Sequence, residues 1–239
     1  MDINNNINLQ RIRESERKSH THMYSTQQLY GNVGWLQKPV KTVLDCLPYF
    51  QSNSQMRILD LGCGVGRNSI AIAQKLSGIP CQIDCVDILD LAIEKLEEYA
   101  VHYGVADKIN GIIAPIEFFP IPSESYNWII AISALEHIDS DDSFYRKLQE
   151  IAEGIRTGGI VCLVVNSGIT EHRKTDGCTV PAQFEVNLPT EMLQELLHTI
   201  YSGWTVLKFG INEQQYDIPR DCGICQLRSS VVTFVAKKA

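Results

Sequence analysis

No uncharged apolar run in the 239 residues approaches the ~20 needed to cross a bilayer. The amino terminus, Met1 to His20, is polar and has no apolar h-region, so it does not read as a secretory signal. Positive charge is in short supply: 21 Lys+Arg stand against 28 Asp+Glu, a formal net charge of −7. An electrostatically driven nucleic-acid binder needs a basic face, and the acidic total points away from one. A disulfide framework is absent as well. The eight cysteines lie at 46, 63, 81, 85, 162, 178, 222 and 225, and Cys63, Cys81, Cys85 and Cys162 stand in or beside apolar runs. Free thiols pack there as small hydrophobes, and disulfide-dense domains are short and secreted. What is present is an ordinary 44% of hydrophobic residues, which excludes disorder throughout. The expectation is a cytoplasmic protein with one α/β domain, no membrane contact and no nucleic acid.

Regular structure is predicted from residue 57 onward. Residues 57–61 form a short apolar strand ending in glycines, and Ile70, Ala71, Ala73 and Leu76 give 68–76 a helical face. Residues 81–87 alternate as a strand, 89–103 repeat apolar residues at helical spacing, and 109–114 and 126–133 are strands. A helix over 143–155 leads through Gly158-Gly159 into a buried strand, 159–166. Short strands alternating with amphipathic helices imply βαβ units and a parallel sheet. Residues 167–188 read as a long polar connection on the substrate side. Thr190 is a plausible N-cap for a helix over 190–201, and strands at 204–209 and 230–236, joined by a loop at 211–228, form an antiparallel hairpin. Residues 41–50 read as a short helix with Pro48 near its end, and residues 1–55 as a whole read as a helical segment and a candidate lid over the domain at 56–239.

The informative stretch is Ile58-Leu59-Asp60-Leu61-Gly62-Cys63-Gly64-Val65-Gly66, where a strand runs through glycines into a helix. Glycine permits positive φ and lets a ligand approach the backbone, and a helix start offers unpaired amides and a positive dipole end. A dinucleotide fingerprint would want a third glycine where Arg67 stands. Asp60, two residues before the first glycine, would repel a diphosphate and suits a ligand with an ammonium group; the alternative is an acid that only caps the turn. Asp87 closes the second strand, where a carboxylate accepts hydrogen bonds from a ribose diol. Pro115 and Ile116, after the third strand, stand where an adenine would lie.

Residues 56–166 resemble the class I S-adenosylmethionine-dependent methyltransferases, whose strand-one loop is matched almost completely. Ser133-Ala134-Leu135-Glu136-His137-Ile138 resembles a segment of their small-molecule branch, and Arg67-Asn68-Ser69 with the two terminal strands is similar to the tellurite-resistance subgroup. The resemblance implies a Rossmann-like doubly wound sheet of seven strands, order 3-2-1-4-5-7-6 with strand 7 antiparallel. It implies S-adenosylmethionine as methyl donor, no metal, and a cofactor site of Asp60, Gly62, Cys63, Gly64, Gly66, Asn68, Asp87, Ile88, Pro115, Ile116 and Ser133. The acceptor would be a small molecule methylated on O, N, S or a metalloid.

His137, just beyond the fourth strand, is the candidate base, with a structural histidine as the alternative. Tyr24, Tyr30 and Trp35 are candidates for an aromatic lid, and Arg173 for meeting an anionic acceptor. Cys222-Gly223-Ile224-Cys225 lacks the second pair that zinc would need, and two ordinary thiols are expected there. The Asp/Asn-Pro-Pro-aromatic motif of exocyclic-amine methyltransferases is missing after strand four. The rival readings are a non-catalytic S-adenosylmethionine sensor and, behind it, a nicotinamide oxidoreductase. Oligomeric state is not legible.

Overall fold

The computed structural model of the protein describes residues 3–32 and 34–239; Met1, Asp2 and Val33 of the amino-terminal segment lie outside the described residues. Helix α1 (Ile3–Thr26) and the short α2 (Lys41–Cys46) precede β1 (Met56–Leu61). Then α3 (Ser69–Lys75), β2 (Cys81–Asp87), α4 (Asp90–His102), β3 (Ile109–Ile113), β4 (Tyr126–Ile132) and α5 (Asp141–Gly154) alternate as predicted. The chain ends with β5 (Ile155–Arg173), β6 (Thr179–Val180), α6 (Thr190–Ile200), β7 (Thr205–Arg220) and β8 (Gly223–Lys237).

The sheet order is β3-β2-β1-β4-β5-β8-β7, with β6 paired only to β5. Strands β1 to β5 are parallel, and β8 runs antiparallel to both β5 and β7. This is the predicted order with one short strand added. Both faces are covered, so the parallel strands read as near-continuous apolar runs. On one face Ile58, Ile70, Leu96, Trp128 and Ile130 pack with Val43 and Phe50; on the other Leu59, Leu61, Ile129, Leu163 and Phe234 pack against Phe144, Leu148 and Leu197. Adjacent Ile58 and Leu59 thus serve opposite layers, as the period of two demands. Helix α5 starts where Ser140 Oγ accepts from the Ser143 amide at 3.3 Å, with Asp141 and Asp142 in the positive first turn.

Three expectations change. Strand β5 does not stop at Asn166: it continues to Arg173, and β7 and β8 extend with it, so the loop expected at 211–228 is a long hairpin. Polar residues were read as loop, but a strand with one wet face tolerates them. The long connection is correspondingly shorter and starts after Arg173. Thr190 is the first helical residue of α6, not its cap; Pro189 precedes it, and Thr190 Oγ1 lies 3.0 Å from Ser167 Oγ. The helix expected over 41–50 ends at Cys46 and tightens into a 3₁₀ turn, Leu47–Phe50, where Pro48 has no amide to continue it.

Candidate active site

A cavity of about 210 Å³ opens at the carboxyl ends of β1, β2 and β4, the crevice where open α/β sheets bind ligands. Its floor is the glycine loop. Gly62 takes a φ of +69°, and a Cβ there would lie 2.3 Å from Cβ of Ala134, so loop and β4 exit pack too tightly for a side chain. Gly64, φ +53°, has the Tyr24 hydroxyl 2.8 Å from where its Cβ would be.

Asp87 ties this floor to β2. Its Oδ2 accepts from the Gly64 amide at 2.9 Å and its Oδ1 from the Leu89 amide at 2.9 Å. Burial pushes its pKa up, and the amides of Leu89 and Gly64 pull it back. Cys63, Asn68, Ile88, Pro115, Ile116 and Ser133 join Gly62, Gly64 and Asp87 on the wall. Burial raises the Cys63 thiol well above its ordinary range, and Asn68 Oδ1 accepts from the Val40 amide at 3.0 Å, fastening the segment before α2 to the loop.

Four predicted residues are elsewhere. Asp60 is buried behind the loop, where its carboxylate accepts from the Ser69 hydroxyl and burial drives its pKa up to about 7. The strand tip turns it toward Ser69 at the start of α3, off the cavity wall. Gly66 packs on Leu96 and Ile70, also off the wall. Tyr30 supports the loop from behind, its hydroxyl donating to the Arg67 carbonyl at 2.8 Å; of the predicted aromatic lid only Tyr24 and Trp35 reach the cavity. Arg173 ends β5 and pairs with Asp176 at 3.2 Å, remote from the wall.

The structure adds residues that the sequence reading missed. Helix α1 lies across the cavity mouth and presents Arg13, Arg17, His20 and Tyr24, spaced 4, 3 and 4 along one helical face. That stripe was readable once the segment was taken as a helix. Arg13 Nη2 donates to Glu117 Oε1, and its Nε stands 3.8 Å from Glu185 Oε1. Both carboxylates are only 2% exposed. His137 is on the wall, its Nδ1 3.1 Å from Glu185 Oε2 and its ring stacked on Phe184 at 5.2 Å. Arg67 covers the Trp35 ring at 4.7 Å. Nothing in the local sequence marks Glu185, which reaches the site from the segment after β6. Its neighbour Glu136 is buried, accepts from Asn166 and is pushed up by burial.

Residues 58–159 match the family model described as a methyltransferase domain. A sterol 24-C-methyltransferase of Debaryomyces hansenii is 27% identical over 110 residues, 46% of this chain and 28% of that protein. The chain thus matches little more than a quarter of that relative's length. TehB from Haemophilus influenzae has the same fold, with a TM-score of 0.59 at 20% identity over 82% of this chain and 61% of that one. Residues 58–159 are thus similar to a methyltransferase domain, and the fold around them is that of the S-adenosylmethionine-dependent methyltransferases. A geranyl diphosphate methyltransferase solved in complex with S-adenosylmethionine superposes with a TM-score of 0.55 at 13% identity, covering 82% of this chain and 84% of that one.

The cavity fits that cofactor on two observations of its own. The glycine loop is a cradle that a Cβ would fill, and Asp87 is a buried carboxylate held at its edge. Among the described residues no group of three or more His, Cys, Asp or Glu could hold a metal ion, and no helix is long and apolar enough to cross a membrane.

Proposed function

We propose that the chain transfers the methyl group of S-adenosylmethionine to a small-molecule acceptor, using the cavity under α1. Asp87 would take the ribose hydroxyls, Ile88, Pro115 and Ile116 would cover the adenine, and the Gly62–Gly64 backbone would receive the methionine portion. Arg17 on α1 supplies a cation for the carboxylate end. The observation that carries this reading is the Asp87 carboxylate bonded to the Gly64 amide at 2.9 Å beneath that apolar slot.

Bound S-adenosylmethionine supplies a methyl already activated by a sulfonium, so the protein's contribution is alignment and exclusion of water. Tyr24, Trp35 and Leu36 close one side of the cavity, and Arg13 fastens α1 over it through Glu117 and Glu185. His137 is the group we assign to take a proton from the acceptor. With Nδ1–H donating to Glu185, the other ring nitrogen is the basic one. Glu185 holds both that tautomer and the α1 latch.

Titration calorimetry with S-adenosylhomocysteine, the demethylated product, tests the cofactor site. Wild type should bind, and Asp87→Ala should bind at least tenfold more weakly; equal affinities remove Asp87 from the site. Transfer of labelled methyl to a panel of O, N, S and metalloid acceptors tests the reaction, and binding without turnover on every acceptor favours a sensor.

A further inference from the structure

The β7–β8 hairpin turns through Asp221 and Cys222, between the paired Arg220 and Gly223. The turn brings Cys222 Sγ to 3.7 Å from Cys225 Sγ, which is van der Waals contact, against about 2.05 Å in a disulfide. Cys222 is exposed and Cys225 is buried beneath it. Two other thiol pairs lie close, Cys63 with Cys85 and Cys46 with Cys162, but all four are buried. A dissolved oxidant therefore reaches the hairpin pair more readily than either of those pairs. Among the described residues no third metal-ligating side chain joins it, so the pair suits thiol–disulfide chemistry better than a metal.

We propose that Cys222 and Cys225 form a reversible dithiol–disulfide site whose oxidant is a low-molecular-weight disulfide such as oxidised glutathione. The Cys222 thiolate, the accessible one, attacks one sulfur of the reagent; a mixed disulfide forms and one glutathione thiol leaves. Cys225 Sγ then loses its proton to solvent and attacks Cys222 Sγ, expelling the second glutathione thiol. Two protein thiols are oxidised and one reagent disulfide is reduced to two thiols. Burial, with Cys222 and Glu171 nearby, pushes the Cys225 thiol up, so the second step quickens as pH rises.

The site goes beyond methyl transfer and depends on a different part of the molecule. It lies two residues from Arg220, which forks onto Glu171 at 2.8 and 2.6 Å. Glu171 Oε1 also accepts from the Gln183 amide at 3.1 Å, next to the Phe184 and Glu185 that hold His137. The bridge would staple the arm that carries this support.

The test is to equilibrate the full chain in glutathione buffers of graded oxidised share, quench with acid, alkylate and digest with trypsin. Residues 221–228, between Arg220 and Arg228, carry both cysteines in one peptide. The doubly alkylated peptide should give way to an unalkylated one lighter by two hydrogens than the reduced form. Cys225→Ser should retain glutathione on Cys222, and Cys222→Ser should stay reduced at Cys225. Circular dichroism checks that both variants fold. A doubly alkylated peptide at every ratio, or a wild-type adduct that persists on Cys222, overturns the proposal.

Discussion

The glycine-loop end of the parallel strands and the antiparallel arm of β5, β7 and β8 both bury charge, but to different ends. In the arm, Glu171 and Arg220 are matched fork to fork, and Asn166 lies between Glu136 and Ser229. Glu171 and Arg220 spend their bonding capacity on one another, whereas Glu136 Oε2 is buried with no hydrogen-bond partner among the described residues. At the loop end, Asp87, Glu117 and Glu185 are also buried but face a cavity, and their partners are backbone amides or side chains from α1 and from the turn after β4. Buried polar groups aimed at empty space mark a site; those closed on themselves mark a scaffold. The two regions meet at Gln183, where the arm fixes the segment that delivers Glu185.

The largest expected effect strikes the scaffold side. Arg220→Ala leaves Glu171 buried with its main cation gone, which should cost about 3–5 kcal/mol in urea unfolding, while S-adenosylhomocysteine affinity stays within about twofold. A parallel loss of affinity would erase the distinction between arm and site.

Asp60 tests the border between the two. Its carboxyl titrates near 7 in the folded protein against about 3.9 in an unfolded chain. The folded state therefore holds the proton more tightly. That contribution is fully present below the unfolded value and is lost as pH rises through about 7. Asp60→Asn, which still accepts from Ser69, should flatten this loss and stabilise the protein above that pH by up to roughly 4 kcal/mol. Thermal melts from pH 5 to pH 9 would read it. Ligand affinity should change less than in Asp87→Ala; an equal fall would return Asp60 to the cofactor.

Gly62→Ala adds backbone strain of about 1–3 kcal/mol to a contact with Ala134, and should lower both stability and ligand affinity. Gly104→Ala is the control: its φ is +68° but its Cβ would meet nothing within 4 Å, so it should cost about 1 kcal/mol with no change in affinity. The smallest effect is Arg13→Ala. Its side chain is 31% exposed, so the loss should be at most about 1 kcal/mol. Amide exchange along α1 should nonetheless quicken and the ligand should dissociate several-fold faster. Unchanged exchange would mean that α1 is held by Tyr24 and Ile12 packing alone.

Strands β1 to β4, their helices and the loop residues Gly62, Gly64 and Asp87 were legible because each is a local pattern: a period, a glycine turn, an acid at a strand end. The placement of Pro115, Ile116, Ser133 and His137 on one wall followed from the same sheet order. The arm was read short because polar residues such as Glu213, Gln214 and Gln215 look like loop, although each pairs with β8. The Asp60–Ser69 bond was not legible, because a position along the strand tip says nothing of which way the side chain turns.

The sequence by itself determined the parallel α/β sheet, its switch point and the glycine cradle, since these arise from short-range sterics and apolar periodicity. Only the tertiary structure decided what closes the cavity. Arg13 and Glu185 are 172 positions apart, and their meeting depends on α1 folding back over the sheet and on the arm holding Gln183. No local propensity encodes that encounter; it exists because two buried carboxylates at the mouth find a cation there.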